Sequence, residues 1–394
     1  MIPFNRPAKM GRELDYIRAA VETGGIGGAG EFAAKCQALL ESELGVKKVL
    51  LTTSCTAALE MAALLIDAQP GDEIILPSFT FTSTANAFVL RGAKPVFVDI
   101  RPDTLNIDES QMERHCTERT KAVVAVHYAG VGCELDAIVD LARDRSIALI
   151  EDNAHGLFGK YRGRHLGTFG CMATQSFHET KNFTCGEGGA LLINDERFIG
   201  RAEMIREKGT NRARFFRGEV DKYTWVDFGS SYAPSDILAA YLLAQLEVRK
   251  KIQKLRERIW NFYTEHLRDW AECCGARLPV VPGHTDQAYH MFYVLMKTGQ
   301  DRDRLMAHLR QAGMQSVFHY LPLHLSKMGR SFGGKEGDCP VTENVSERLL
   351  RLPFYNELHE ADQAKVVEAV QDFPMKPGKH SPDVHERRIK EHSL

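Results

Sequence analysis

The segment Ser176-Phe177-His178-Glu179-Thr180-Lys181-Asn182 places a lysine between two apolar runs, and Gly186-Glu187-Gly188-Gly189 follows it a few residues later. The apolar runs span residues 171–177 and 190–193. Lys181 is therefore expected on a connection between two buried strands of an α/β core, not on the solvated face of a helix. Burial removes water from an ammonium group, lowers its pKa and leaves a nucleophilic amine.

A nucleophilic lysine is the group that an aldehyde cofactor requires, and pyridoxal 5'-phosphate is the obvious candidate. Any single lysine in a chain of 394 residues is more often a surface residue. The interpretation of Lys181 as a cofactor lysine therefore depends on the residues around it and upstream of it.

Length and composition limit the kinds of protein that this chain could be. A chain of 394 residues with 44% hydrophobic and 26% charged residues is typical of a globular protein with a large and a smaller domain. The net charge of -2 gives no reason to expect nucleic acid or an anionic membrane as partner. The N-terminus lacks a signal-peptide core, no apolar run could span a bilayer, and the nine cysteines lack Cys-x-x-Cys spacing. We therefore expect a cytoplasmic protein without a metal site.

Seven short apolar runs recur along the first half of the chain, with helix or turn signals between them. Near-continuous apolar strands separated by helices are typical of a mostly parallel sheet buried on both faces. Such a sheet carries its ligand sites at the strand ends. The runs span residues 48–51, 73–76, 95–98, 122–126, 147–150, 172–177 and 190–193.

The remaining patterns divide the chain into an N-terminal arm with a glycine-rich loop, a large cofactor-binding domain, a small C-terminal α/β domain and a tail. Helical periodicity from about residue 234 to 266 predicts a long linking helix, and a strand (289–295) and a helix (302–311) follow it. The tail has little to bury, so we expect it to be disordered. The boundaries are placed at residues 1–30, 31–250, 251–374 and 375–394.

The glycine-rich loop, residues 25–30, satisfies the G-x-G-x-x-G pattern of dinucleotide-binding proteins. That interpretation requires a strand before the glycines and an acidic residue at the end of a second strand. A helix-like run, residues 13–21, precedes them here. The better prediction is a flexible loop near the active site.

Two groups of residues upstream of Lys181 follow predicted strands. Cys55 and Thr56 open a helix, where backbone N–H groups and the helix dipole can hold a phosphate, although an ordinary helix cap explains the same residues. Phe81 follows the next strand and could stack on a pyridine ring, although a core phenylalanine is the commoner explanation.

Three more residues complete the set. Asp152 follows the strand that ends at Ile150 and could pair with a protonated pyridine nitrogen, although it could also cap a turn. His155 lies close enough in sequence to reach the phenolic oxygen of the same cofactor, and the hydroxyl of Ser176 could meet its phosphate. Each signal is weak alone, but their order at successive strand ends, with the lysine last, is more specific.

With these residues in order, the chain resembles the DegT/DnrJ/EryC1/StrS sugar aminotransferases over residues 2–374. The resemblance implies the type I PLP-dependent transferase fold, which is aspartate aminotransferase-like. In that fold a large α/β domain with a seven-stranded, mostly parallel sheet joins a small C-terminal domain. The most specific strings lie at residues 176–182, 206–212, 215–218, 221–225 and 318–324.

The resemblance also implies a role for each residue. Lys181 binds the cofactor covalently and later moves a proton, and Asp152 pairs with the pyridine nitrogen. His155 lies near the phenolic oxygen, and Phe81 stacks on the ring. The implied phosphate ligands are Cys55, Thr56, Ser176 and, across the subunit interface, Ser231, and the implied neighbours of the nucleotide sugar are His319 and Tyr320.

Three of these positions depart from the family pattern. Many relatives have Gln where His155 stands, so the electronics of the ring could differ slightly. Many have Asn in place of Ser231, and the shorter serine puts the contact with the partner subunit's cofactor in doubt. Relatives often have Gly in place of Cys55, a change that a backbone contact would survive.

The resemblance carried by the longer strings implies a narrower reaction, the amination of dTDP-4-dehydro-6-deoxy-D-glucose at C4 with L-glutamate. That reaction serves enterobacterial common antigen synthesis, and its enzymes are expected to be homodimers with shared active sites. A 3-keto sugar or a UDP- or GDP-linked sugar remains an alternative. A PLP-dependent sugar dehydratase, in which His replaces the lysine, and a non-catalytic sugar-binding protein are weaker alternatives because Lys181 and Asp152 are both present.

A basic run is the last feature of note. Arginine forks match the oxygens of a diphosphate, so these residues could bind the nucleotide, although a solvated helix face is an equally good explanation. The run consists of Arg206, Lys208, Arg212, Arg214 and Arg217.

Overall fold

The computed structural model describes residues 1–374, and the predicted tail, 375–394, lies outside the described residues. All seven predicted strands are confirmed as members of one sheet. In chain order the strands are β1 (Lys48–Thr52), β2 (Glu73–Pro77), β3 (Lys94–Val98), β4 (Thr120–Val126), β5 (Ala148–Asp152), β6 (Lys160–Tyr161), β7 (Arg164–His165), β8 (Met172–Ser176), β9 (Gly189–Ile193), β10 (Thr285–Asp286), β11 (Tyr293–Leu295) and β12 (Leu349–Arg351).

The main sheet has the strand order β1-β9-β8-β5-β4-β2-β3. Strand β9 runs antiparallel to both of its neighbours, and the other adjacent pairs are parallel. The predicted mostly parallel sheet is therefore confirmed. Because β2, β4, β5 and β8 are parallel, their carboxyl ends meet at one edge, and the polar residues that follow them are brought together.

Helices cover both faces of this sheet, which is why β2 and β9 are buried along their whole length. In chain order the helices are α1 (Glu13–Glu22), α2 (Glu31–Leu44), α3 (Cys55–Leu65), α4 (Thr82–Val89), α5 (Glu109–His115), α6 (Leu135–Asp144), α7 (Ile199–Arg206), α8 (Arg212–Phe216), α9 (Asp236–Glu247), α10 (Arg249–Cys274), α11 (Gly299–Gln311), α12 (Lys327–Ser331), α13 (Pro340–Arg348) and α14 (Glu360–Gln371).

The C-terminal part of the chain builds a core of its own. Strands β11 and β12 pair antiparallel, and a cluster around Tyr263 and Phe292 packs α10, α11 and α14 against them. The boundaries placed at residues 250 and 374 remain predictions.

Two sequence predictions in this region are corrected by the structure. The long linking helix is two helices, α9 and α10, because Val248 between them has φ -100° and ψ 20°. The strand predicted over residues 289–295 is confined to β11, because Tyr289 has a positive φ of 51°, which an extended strand does not accommodate.

The glycine-rich loop does not support a dinucleotide site. Helix α1 precedes it, where the motif requires a strand. Gly28 pairs with Ser235, and a Cβ atom at Gly30 would collide with Asp236, so the loop lies against the start of α9. Within one chain the loop lines no part of the cavity described below, and its position near the active site stays a prediction.

The same contact yields a prediction about stability. Asp236 is buried and accepts hydrogen bonds from the backbone N–H groups of Phe32 and Ala33, at 3.1 and 2.8 Å, in the first turn of α2. We expect Asp236→Ala to lower the free energy of unfolding by about 2–3 kcal/mol, because it leaves two buried donors unpaired. The urea midpoint measures this loss.

A matched control is Glu31→Ala, which removes an exposed ion pair with Lys35 from the same helix. That change should alter the free energy of unfolding by less than about 0.5 kcal/mol. Equal midpoint shifts for the two variants would contradict the capping role of Asp236.

Candidate active site

A cavity of about 590 Å³ lies at the carboxyl edge of the main sheet. The tertiary structure brings nine of the ten sequence-predicted site residues into its wall. These are Lys181, Asp152, His155, Ser176, Cys55, Thr56, Phe81, His319 and Tyr320.

Lys181 lies on the connection between β8 and β9, as the opening motif predicts. Burial lowers the pKa of its ammonium to about 8; Cys55 and Asp152 oppose the shift, and Arg351 adds to it. The connection is anchored by the next residue, Asn182, whose amide donates to Ala288 O at 2.6 Å and whose Oδ1 lies 2.9 Å from His290 Nδ1. The amine is therefore both positioned and partly free near neutral pH.

Asp152 ends β5 and is buried. Thr84 Oγ1 donates to its Oδ2 at 2.8 Å, and the backbone N–H of Ala154 donates to its Oδ1 at 3.3 Å. Burial raises the pKa of this carboxyl, and the two donors together with the charges of Lys181 and His127 oppose the rise. The two hydrogen bonds fix a carboxylate against the cavity wall.

The start of α3 forms another part of the wall. Ser54 caps the helix by accepting from the N–H of Ala57 at 3.0 Å, and the N–H groups of the first turn have no partner within a helix. A Cβ atom at Gly189 would collide with the backbone of Ser54 and Cys55, so only glycine lets β9 approach this closely. The hydroxyls of Thr56 and Ser83 lie 2.8 Å apart beside these N–H groups. Together they form a cradle suited to an anion.

The Cys55 side chain contributes little charge to this cradle. Burial, with Asp152 nearby, raises the pKa of its thiol to about 12. The thiol is 3.5 Å from Thr174 Oγ1. It is therefore neutral at ordinary pH and is not a nucleophile.

Aromatic rings line the remaining walls. Phe81 precedes α4 and is 59% exposed, so it is a cavity residue and not a core phenylalanine. The ring of His155 stacks on His290, with centroids 4.1 Å apart and an angle of 17°, and its buried Nδ1 has no hydrogen-bond partner among residues 1–374. Burial, reinforced by Lys181, holds the pKa of His155 well below its usual range, so the ring is neutral.

These features fit pyridoxal 5'-phosphate. The cavity offers an amine with a lowered pKa, a fixed carboxylate, an anion cradle and an exposed aromatic ring. The unpartnered Nδ1 of His155 is a buried polar atom in the same wall, and such atoms are rare unless a ligand or water pairs with them.

The tenth predicted residue, Ser231, is not in this wall. It is exposed and pairs with the backbone of Glu207. The basic run also lies elsewhere: Arg214 and Arg217 pair with Glu219, and Arg206 donates to Gln37. Within one chain these residues do not reach the cavity.

Several cavity residues were missed by the sequence predictions, and Thr84, His290 and Arg351 are the polar ones that matter most for the chemistry. Arg351 carried a usable signal, because it is a charged residue inside the apolar run 349–354. Thr84 and His290 carried none, since they reach the site from separate parts of the chain.

Residues 1–374 show neither a metal cluster nor a membrane-spanning helix. No cluster of three or more His, Cys, Asp or Glu side chains in that range could hold a metal ion. None of its helices is long and apolar enough to cross a bilayer.

Comparison with known proteins agrees with this geometry. Residues 8–371 match the model of the DegT/DnrJ/EryC1/StrS aminotransferase family. Members of this family depend on pyridoxal 5'-phosphate, which confirms the predicted cofactor. The match also confirms the resemblance on which the sequence predictions rested.

Individual relatives cover nearly the whole chain. The spore coat polysaccharide biosynthesis protein SpsC of Bacillus subtilis (strain 168) is 32% identical over 380 residues, which are 94% of this chain and 97% of that protein. The aminotransferase TlmJ from Streptoalloteichus hindustanus has a TM-score of 0.86 and 31% identity over 94% of this chain and 98% of its own. A DegT DnrJ EryC1 StrS aminotransferase from Brucella abortus has a TM-score of 0.84 and 30% identity, over 93% and 96%. The type I PLP-dependent transferase fold is confirmed.

The lowered pKa of Lys181 predicts the pH dependence of its reactivity. In the cofactor-free protein, labelling by pulses of acetic anhydride should rise with a midpoint at about pH 8, because only the free amine reacts. The same peptide in urea should titrate near about 10.4. Peptide mass spectrometry measures both curves, and a folded-state midpoint near the urea value would contradict the desolvated site.

The same shift affects stability. Between about pH 8 and pH 10.4 the unfolded state binds more protons at this lysine than the folded state does. Relative to Lys181→Met, the cofactor-free wild type should therefore gain stability as the pH rises through that window.

Proposed function

The chain belongs to the DegT/DnrJ/EryC1/StrS aminotransferase family, and we propose that it transfers the amino group of L-glutamate to dTDP-4-dehydro-6-deoxy-D-glucose. The products would be 2-oxoglutarate and dTDP-4-amino-4,6-dideoxy-D-galactose. The proposed setting is the synthesis of a cell-surface polysaccharide, of which enterobacterial common antigen is the expected example. The nine free cysteines suit a reducing compartment, so we place the enzyme in the cytoplasm.

One observation carries the aminotransferase part of the proposal. Lys181, with a pKa of about 8, and Asp152, held by Thr84, line the same cavity. An amine that is partly free near neutral pH can act as a general base, and a lysine with its ordinary pKa is almost entirely protonated there.

The cofactor, when bound, supplies an aldehyde that takes up the donor's amino group and a ring that delocalises the electron pair left at the donor Cα. Asp152 would keep a proton on the pyridine nitrogen, and Phe81 would cover one face of the ring. Thr56, Ser176 and the first N–H groups of α3 would hold the phosphate.

The proton transfers fall to Lys181. Its Nζ would remove the proton from the donor Cα and, in the second half of the reaction, deliver a proton to C4 of the sugar. Delivery from one side sets the configuration of the new amine, which is axial in the galacto product. A positioned base of this kind contributes about 10²–10⁴-fold in rate.

Two observations support a sugar substrate: the resemblance of the string 318–324, and the position of two of its residues in the cavity wall. His319 and Tyr320 belong to the string 318–324 and line the cavity, with ring centroids 3.5 Å apart. His319 Nδ1 is 3.0 Å from Tyr128 Oη, so the pair is held from behind. Aromatic and imidazole rings of this kind are suited to pack against a sugar ring. The name of SpsC also refers to polysaccharide biosynthesis.

A homodimer with shared active sites is part of the proposal. Segment 212–231 exposes several large apolar side chains, and Ser231 lies at its end. An exposed apolar patch of this kind marks an interface more often than a free surface. Its members are Phe216, Tyr223, Trp225, Val226 and Phe228, with exposures of 70%, 52%, 78%, 48% and 63%.

The substrate is tested by absorption spectroscopy. The PLP-loaded protein is first converted by L-glutamate, which should remove the visible band of the lysine-bound cofactor. Addition of dTDP-4-dehydro-6-deoxy-D-glucose should restore the band, because the amino group then leaves for the sugar. Restoration only by the 3-dehydro isomer, or only by a UDP- or GDP-linked sugar, would keep the aminotransferase and overturn the proposed substrate.

The matched variants are Lys181→Ala and Lys250→Ala, the second on the exposed surface of α10. Lys181→Ala should reduce turnover by about 10²–10⁴-fold, because it removes the general base. Lys250→Ala should retain full turnover. Turnover of Lys181→Ala within tenfold of wild type would refute the role of Lys181.

The dimer is tested by sedimentation equilibrium. We expect a mass twice the chain mass of 44.2 kDa for the wild type, and a shift toward monomer for Trp225→Ser combined with Phe228→Ser, because the change removes apolar area from the interface. Leu90→Ser, at another exposed apolar residue, is the control. An unchanged dimer in the double variant would place the interface elsewhere.

A further inference from the structure

Arg351 enters the cavity from the C-terminal part of the chain. It is the last residue of β12, where its backbone pairs with Tyr293 and exchanges hydrogen bonds with Val317 at 2.8 and 3.2 Å. Its side chain lines the same cavity as Lys181. The backbone is held on two sides, so the guanidinium is presented to the cavity from a rigid strand.

The guanidinium has no acceptor within residues 1–374. Its Nε is buried and has no hydrogen-bond partner among the described residues. Its one close neighbour of note is the ring of Phe4, with the guanidinium carbon 4.6 Å from the centroid. Arg351 is half-buried and lines the cavity, and a partly desolvated charge without an acceptor is suited to bind an anionic ligand there.

Arg256, which is fully buried where Arg351 is half-buried, shows what an arginine with a structural role looks like here. It donates to Tyr289 O at 2.8 Å, to Asn356 Oδ1 at 2.7 Å and to His290 O at 2.5 Å. All of its nitrogens are therefore used within the fold. Arg351 differs in having its donors available to the cavity.

The other charges of the cavity do not satisfy Arg351. Asp152 accepts from Thr84 and from the N–H of Ala154, and Glu187 lies 3.5 Å from His178. Burial holds the pKa of His290 and of His319 well below the usual range, as it does for His155, so none of these rings competes for an anion. Arg351 and Lys181 are the cations that face the ligand space.

We propose that Arg351 binds the α-carboxylate of the amino-acid donor and so selects an amino acid for the first half of the reaction. This inference rests on the proposed function. In an amino acid the amine and the carboxylate share one carbon atom, so the group that binds the carboxylate must lie close to the lysine that the amine displaces. A planar guanidinium matches the two oxygens of a carboxylate with two parallel hydrogen bonds.

The diphosphate of the nucleotide sugar is the competing anion. It is separated from C4 by most of the pyranose ring, so its binding group belongs farther from Lys181. Arg351 and Lys181 line the wall of the same cavity of about 590 Å³, so one small ligand can reach both groups. The donor carboxylate is therefore the better match.

The test uses the PLP-loaded protein and three variants, Arg351→Met, Arg351→Lys and Arg310→Met, the last at an exposed position of α11. Loss of the visible band on mixing with L-glutamate gives the rate constant of the donor half-reaction. Calorimetry gives the affinity for glutarate, an unreactive dicarboxylate, and for dTDP. Urea unfolding verifies that each variant is folded.

We expect Arg351→Met to lower the second-order rate constant for L-glutamate by about 10²–10³-fold, because it removes one partner of a buried charge pair. Its glutarate affinity should fall in parallel, and its dTDP affinity should stay within twofold of wild type. The rate constant of Arg351→Lys should lie between those of the wild type and Arg351→Met, since an ammonium keeps the charge and loses the bidentate geometry. Arg310→Met should match the wild type.

Two results would overturn the inference. A rate constant for Arg351→Met within threefold of wild type would show that Arg351 does not bind the donor. Loss of dTDP affinity with an unchanged donor rate would assign the arginine to the diphosphate. A wild type that is inert with L-glutamate would instead refute the proposed donor, while glutarate binding would still report whether Arg351 binds a carboxylate.

Discussion

The carboxyl edge of the sheet is organised by one buried carboxylate, Glu151. It accepts hydrogen bonds from the backbone N–H groups of Gly167, Phe169 and Gly170 at 2.7, 2.7 and 2.8 Å, and it lies 2.9 Å from His127 Nε2. These contacts attach the turn before β8 to the end of β5. Because side chains alternate along a strand, fixing Glu151 beneath the sheet edge turns Asp152 toward the cavity.

The electrostatics of the cavity follow from this burial. Neutral imidazoles surround Lys181, and the desolvation that keeps them neutral also lowers the pKa of the lysine to about 8. Asp152 opposes part of that shift, so the amine keeps much of its basicity and is partly free near neutral pH. In such a site Lys181 is the group that can accept and donate a proton near neutral pH, and the neutral imidazoles do not repel or compete with a charged ligand.

The prediction of the fold succeeded where local pattern and global structure coincide. The runs at 73–76 and 190–193 became β2 and β9 because they are short, largely apolar and rich in Ile and Leu, and a segment of strand length with this composition is typical of a sheet buried on both faces. The break at Val248 and the short extent of β11 were missed, because they depend on single backbone conformations at Val248 and Tyr289 that periodicity does not report. The antiparallel direction of β9 was also missed, since an apolar run gives no information on the direction in which its strand pairs.

The sequence by itself determined which residues follow the strands, and therefore that Lys181, Asp152, Phe81 and the start of α3 would meet at one edge, because parallel strands bring their carboxyl ends together. Only the tertiary structure decided what surrounds them. Thr84 donates a hydrogen bond to Asp152, which is 68 positions away, and His290 stacks on His155, which is 135 positions away. Arg351 lines the same cavity as Lys181, although 170 positions separate them in the chain. Such contacts depend on how helices and strands pack, and packing is a property of the whole chain, which no local pattern encodes.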